Sequence, residues 1–160
     1  MAAVLKLVGV FGLSILLAAC GGGAAQRAPV GVAQAGSVTL EQLAPQQLER
    51  GHCGLYIWSQ GAIEPVFILV AEDNPARARI RTDGRERTVD RTAFAGAAAY
   101  GHFENQTYAS RDVTLTLEVA FNVEREMRNG AVLRSGMLRI RDREGWETLM
   151  QVGGMVACRS

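Results

Sequence analysis

The spacing of apolar and polar side chains divides the chain into three stretches. Residues 1–19 carry one charge, Lys6, followed by an apolar run from Leu7 to Ala19. Residues 20–36 are dominated by Gly, Ala and Pro and have no periodicity, the pattern of a flexible tether. From Ser37 the pattern becomes regular. Thr39 and Gln42 have the spacing of a capping box, predicting a short N-terminal helical turn that packs Leu40, Leu43 and Leu48 before Gly51 ends it. After Cys53 the period is two, which predicts strands.

Leu55–Ser59 and Pro65–Ala71 are short apolar runs and read as well-buried strands. Ala78–Thr82 and Arg85–Arg91 flank Asp83-Gly84, a two-residue hairpin signal. That turn sets Arg81 against Glu86 and Arg77 against Asp90, with Ala78, Ile80 and Val89 on the other face. The longest alternation, Val113–Met127, leads through Asn129-Gly130 to Ala131–Arg141. A turn at Asn129-Gly130 puts Val113, Leu115, Leu117, Val119, Phe121, Val123 and Met127 on one face with Val132, Leu138 and Ile140. It also sets Glu118 against Arg141 and Arg125 against Arg134. Arg143-Glu144-Gly145 fits a three-residue loop, pairing Arg141 with Glu147 and turning Trp146, Thr148, Met150 and Val152 inward. Gly153-Gly154 reads as a bend. Tyr100–Ala109 alternates weakly and reads as an irregular strand beside Val113–Val119. The sum is an all-β domain over 37–160, an antiparallel meander of 7–8 strands. Each sheet has one apolar face, so it must close as a small barrel or a sandwich.

The leader has a more specific reading. The thirteen residues of its apolar run suit the core of a secretory signal and fall short of the roughly 20 that span a bilayer. They end in Leu17-Ala18-Ala19-Cys20, which resembles the lipobox of bacterial lipoproteins. The resemblance implies diacylglyceryl transfer to the Cys20 thiol, cleavage after Ala19 and acylation of the new amine. The implied partner is therefore a lipid bilayer, reached through acylated Cys20. Two or more acyl chains at about 0.8 kcal/mol per buried methylene give durable attachment. Gly21 stands where an Asp often retains such proteins at the inner membrane, so the expected address is the outer membrane, facing the periplasm. The mature domain also resembles small bacterial envelope lipoproteins of unassigned activity.

That assignment changes the cysteine arithmetic. With Cys20 carrying lipid, Cys53 and Cys158 are left in a compartment where disulfides form, bracketing the β domain, and are expected to be joined. Composition sharpens the picture further. The whole chain has a formal charge of +1 and is 48% hydrophobic, which excludes a strongly basic nucleic-acid binder and a wholly disordered chain.

Candidate chemistry is sparse. His52 and His102 stand in separate segments, with none of the spacings of a metal site, and neither metal nor cofactor is expected. No nucleophile elbow or phosphate loop is present. Arg77, Arg79, Arg81, Arg85 and Arg87 are interleaved with Asp83, Glu86 and Asp90, the pattern of solvated cross-strand pairs. Among Tyr56, Trp58, Tyr100, Tyr108 and Trp146, the two tryptophans are expected in the core rather than stacked on glycan rings. Gly101–Gln106 is the most polar, loop-like stretch and the first place to seek a binding surface. These features lead to a non-catalytic envelope lipoprotein with a binding or structural role, its protein or glycan partner unidentified. Two alternatives remain. One is a hydrolase inhibitor, since size, anchor and terminal cysteines are similar to periplasmic lysozyme inhibitors of the small β-barrel type. The other is a small-ligand carrier with a barrel cavity.

Overall fold

The computed structural model describes residues 38–61, 64–127 and 129–160, and the side chains of 123–127 are not described. The leader, the tether and Cys20 lie outside these residues, as do the side chains of Val123, Arg125 and Met127. Eight strands follow one another: β1 Cys53–Ser59, β2 Phe67–Glu72, β3 Arg77–Thr82, β4 Arg85–Ala99, β5 His102–Ala109, β6 Val113–Met127, β7 Gly130–Asp142 and β8 Glu147–Cys158. Each pairs with the next, and β8 returns to β1, so the meander closes as a barrel and not as a sandwich. Closure removes the sheet edges that an open meander would expose.

Alternation fills the inside. Leu55 and Ile57 of β1, Leu69 of β2, Ile80 of β3, Leu115 and Leu117 of β6 and Leu138 of β7 are all fully buried. The β3–β4 register is the expected one, Arg81 on Glu86 and Arg77 on Asp90, with Ala78, Ile80 and Val89 buried. So is the β7–β8 connection, where Arg141 pairs with Glu147 and Gly145 takes a φ of 90°.

The strand connections alternate between two ends. At the entry end, where Val38 joins the barrel, lie the turns β1–β2, β3–β4, β5–β6 and β7–β8. At the seam end, Cys53 opens β1 and Cys158 closes β8; the two are paired in register and joined by a disulfide across 105 positions. The predicted disulfide therefore locks the last strand onto the first.

Several expectations are corrected. Among the described residues there is no helix, so the turn expected after Thr39 is absent. Its backbone donors go elsewhere: Glu41 N–H bonds the Arg81 carbonyl and Leu43 N–H the Phe67 carbonyl. Leu40, Leu43 and Leu48 are buried as expected, but by an irregular strap against the barrel. In the β6–β7 hairpin Met127 pairs with Gly130, and Glu118 lies opposite Met137 instead of Arg141. At Glu118 the slip is four residues, an even number, so Val113, Leu115, Leu117 and Val119 keep their inward face. An irregularity between Leu133 and Gly136 then makes Leu133, not Val132, the buried residue. Trp146 is 62% exposed, lying beyond the barrel rim where its backbone N–H bonds the Asp142 carboxylate. Trp58 is also outside the core, stacked with Tyr56 and tilted against Phe67, because it alternates with the inward Ile57 and Ser59. Gly153-Gly154 does not end a strand; β8 runs through it, and a Cβ on Gly154 would collide with the Tyr56 carbonyl oxygen.

Candidate functional site

The two ends differ in chemistry. The entry end has an open cavity of about 370 Å³ lined by Val38, Thr82, Arg87, Asp112 and Asp142 among others. Its polar groups answer one another: the Arg87 guanidinium bridges Asp83 and Asp112, both at 3.3 Å. Glu41 pairs with Arg81 at 3.3 Å and accepts the Gly84 N–H at 2.8 Å. Below this mouth the interior is packed with aliphatic side chains.

At the seam end, the second half of β4 outruns β3 and folds back with the start of β5 over the barrel end, bringing Gly101 against Asp73 and His102 beside the Cys53 carbonyl. The β3–β4 pairing stops at Arg77 and Asp90. From Thr92 to Ala99, β4 is therefore held on one side only, by β5. The turn is tight, with positive φ at Tyr100 (52°) and Gly101 (78°). Gly101 is needed there, because a Cβ would press on the Asp73 side chain. The irregular strand expected over Tyr100–Ala109 is β5, which starts at His102 and pairs with β6 as expected, so the polar, loop-like stretch Gly101–Gln106 lies mostly within it.

The base of this hairpin is polar and buried. Arg91, opposite Tyr108 in register, donates to the Gly101 carbonyl at 3.0 Å and to Gln106 Oε1 at 3.2 Å. Tyr108 donates to the same Gln106 oxygen at 2.9 Å. The Arg91 guanidinium also lies 5.3 Å from the ring centres of both Phe94 and Phe103, which contact each other at 4.3 Å. His102 is fully buried, its Nε2 3.5 Å from the Cys53 carbonyl oxygen. Burial holds the imidazole neutral and lowers its pKa to about 4, against the opposing pull of the Cys53 carbonyl and Asp73. Burial likewise raises the Tyr108 phenol. His102 Nδ1, Gln106 Nε2 and Asp73 Oδ1 are buried with no hydrogen-bond partner among the described residues.

The tip above is apolar and open to solvent. Every residue from Thr92 to Ala98 is exposed and none is charged, with Phe94 at 59% and Tyr100 at 44%. Of the residues that the sequence singles out, the structure joins Cys53 to Cys158, hydrogen-bonds Tyr108 to Gln106 and buries His102 beside the Cys53 carbonyl. It places Tyr56 with Trp58 on the outer wall and Trp146 at the entry end. His52 lies 4.0 Å from Asp73, beside the same seam. Among the described residues, no group of three His, Cys, Asp or Glu side chains converges as a metal site. Arg91 and the Phe94–Tyr100 run are not found by periodicity. Their signal in the sequence is a neutral stretch from Thr92 to Phe103 without strict alternation, which a core strand would not carry.

These features define a class: a closed, up-and-down, eight-stranded antiparallel barrel with a filled interior, a disulfide at its seam and a β4–β5 hairpin folded over that end. No family model, curated protein or solved structure matches the chain.

Proposed function

We propose that this chain is a lipoprotein of the bacterial cell envelope, held to a membrane through acylated Cys20. It faces the periplasm, from the outer membrane, and its barrel serves as a non-catalytic binding module. The supporting observation is the contrast between a filled interior and an uncharged, exposed hairpin. Leu115, Leu117, Leu138 and Tyr108 occupy the space in which a carrier would hold its ligand, so recognition falls to the outside. The disulfide is in keeping with an oxidising compartment. Val38 enters at the end opposite the β4–β5 turn, so a tether arriving there leaves that turn at the far end of the barrel from the bilayer.

Metabolic labelling with palmitate tests the anchor. The wild-type chain is expected to take up label and pellet with membranes, whereas Cys20→Ser remains unlabelled and soluble. An unlabelled wild type that washes off membranes would overturn the reading.

A further inference from the structure

At the entry end, strand alternation turns polar side chains inward just above the aliphatic interior. Ile80 of β3 and Ile140 of β7 are buried in that interior, and the next inward positions on the same strands are Thr82 and Asp142. Both are almost fully buried, at 4% and 8% exposure, and both stand in the wall of the cavity of about 370 Å³ at the mouth. The two carboxylate oxygens of Asp142 differ. Oδ1 accepts the Trp146 backbone N–H at 2.8 Å, whereas Oδ2 is buried with no hydrogen-bond partner among the described residues. A carboxylate oxygen kept from water without a donor is unfavourable, so this position calls for a donor from outside the chain.

The charges around the cavity select the kind of donor. Four carboxylates line it, Asp83, Asp112, Asp142 and Glu144, against the guanidiniums of Arg87 and Arg143. Both guanidiniums are engaged, Arg87 by Asp83 and Asp112 and Arg143 by Glu144 at 2.6 Å. Arg87 Nε has no partner, but a guanidinium already held by two carboxylates draws no anion. The surplus is negative, and Asp142 carries the buried part of it. Among the described residues these acids do not converge as metal ligands would, so the complement is an organic cation with N–H donors. Val38 and Val113 stand in the same wall and offer its hydrocarbon part an apolar surface. We infer that the mouth of the barrel binds a small aliphatic ammonium compound. Its ammonium group donates to Asp142 Oδ2, and its carbon chain lies against Val38 and Val113.

The inference adds a ligand site to the binding role proposed above, and its test is independent of the anchor. The full chain, purified in detergent, is titrated with butylammonium chloride by calorimetry. Saturable binding with a dissociation constant of about 1 mM is expected, an ordinary strength for so few atoms. Tetramethylammonium has the charge but no N–H, and butanol has the chain but no charge. Each should bind at least about ten-fold more weakly, the worth of a hydrogen bond to a charged group. Asp142→Asn removes the charge and keeps an oxygen for the Trp146 N–H, and it should weaken butylammonium binding by a similar factor. Val38→Arg, which places a cation at the half-buried edge of the cavity, should do the same even if Asp142→Asn does not fold. An intact Cys53–Cys158 bond and an unchanged thermal midpoint report the folded variants. No saturable binding, equal binding of tetramethylammonium or magnesium, or unchanged affinity in the folded variants would each overturn the inference. Failed palmitate labelling with butylammonium binding preserved would remove the anchor alone.

Discussion

The two ends of the barrel solve the same problem, how to finish eight strands, with opposite means. The entry end uses tight turns whose charges pair in solvent: Arg87 with Asp83 and Asp112, Glu41 with Arg81, and Glu147 with Arg139 and Arg141. The seam end uses a covalent bond, a buried polar layer and an apolar ribbon. Exposed ion pairs contribute little each, whereas buried hydrogen-bonded groups are costly to disturb. The barrel is thus anchored energetically at the end over which the β4–β5 hairpin folds.

Substitutions at the two ends should separate accordingly. The largest effect is expected for Cys53→Ser, which frees a loop of 105 positions and should lower stability by about 4–5 kcal/mol, read as a fall in the denaturant midpoint. A loss below about 1 kcal/mol would place the seam's strength in the β1–β8 pairing instead.

Acid should act next, through His102. Its folded pKa of about 4 lies below the unfolded value of about 6.5, so the unfolded chain binds the proton first. The contribution is full above about pH 6.5 and is lost as the pH falls toward 4, about 3 kcal/mol in all. Urea unfolding between pH 7 and 4 should show that slope in the wild type and its reduction in His102→Gln. Equal slopes would remove His102 as its source.

Tyr108→Phe comes third. It deletes the donor to Gln106 without changing the packing, and the expected loss is about 1–2 kcal/mol. At the opposite end, Glu41→Gln should cost less than about 1 kcal/mol by the same unfolding measurement, since its pair with Arg81 is solvent-exposed. If Glu41→Gln proves the more damaging of the two, the contrast between the ends fails.

Much of this fold is legible in the sequence where local signals and burial agree. Asp83-Gly84 fixes the β3–β4 register because a one-residue slip would turn Ile80 and Val89 to water. The β6–β7 hairpin shows the limit of the same reasoning. A four-residue displacement keeps Val113, Leu115, Leu117 and Val119 inward, so alternation has no means of detecting it. Trp58 and Trp146 escape for a related reason: periodicity assigns a residue to a face, but not to a level along the barrel or to a place beyond its rim. The candidate site is half legible. Residues 101–106 stand out for their polarity, yet the exposed partner strand Thr92–Ala99 carries no such signal.

By itself, the sequence determined the strand class, the antiparallel order, the inward faces of most strands and the pairing of Cys53 with Cys158. Those follow from period, turn chemistry and covalent possibility, all of them local or countable. Only the tertiary structure decided that the meander closes β8 onto β1, that His102, Gln106 and Tyr108 are sealed beneath the hairpin, and that Thr92–Ala99 outruns its β3 neighbour. The reason is physical: an edge is exposed or covered according to how far its neighbour extends, and strand length relative to a distant strand is not encoded in any local pattern.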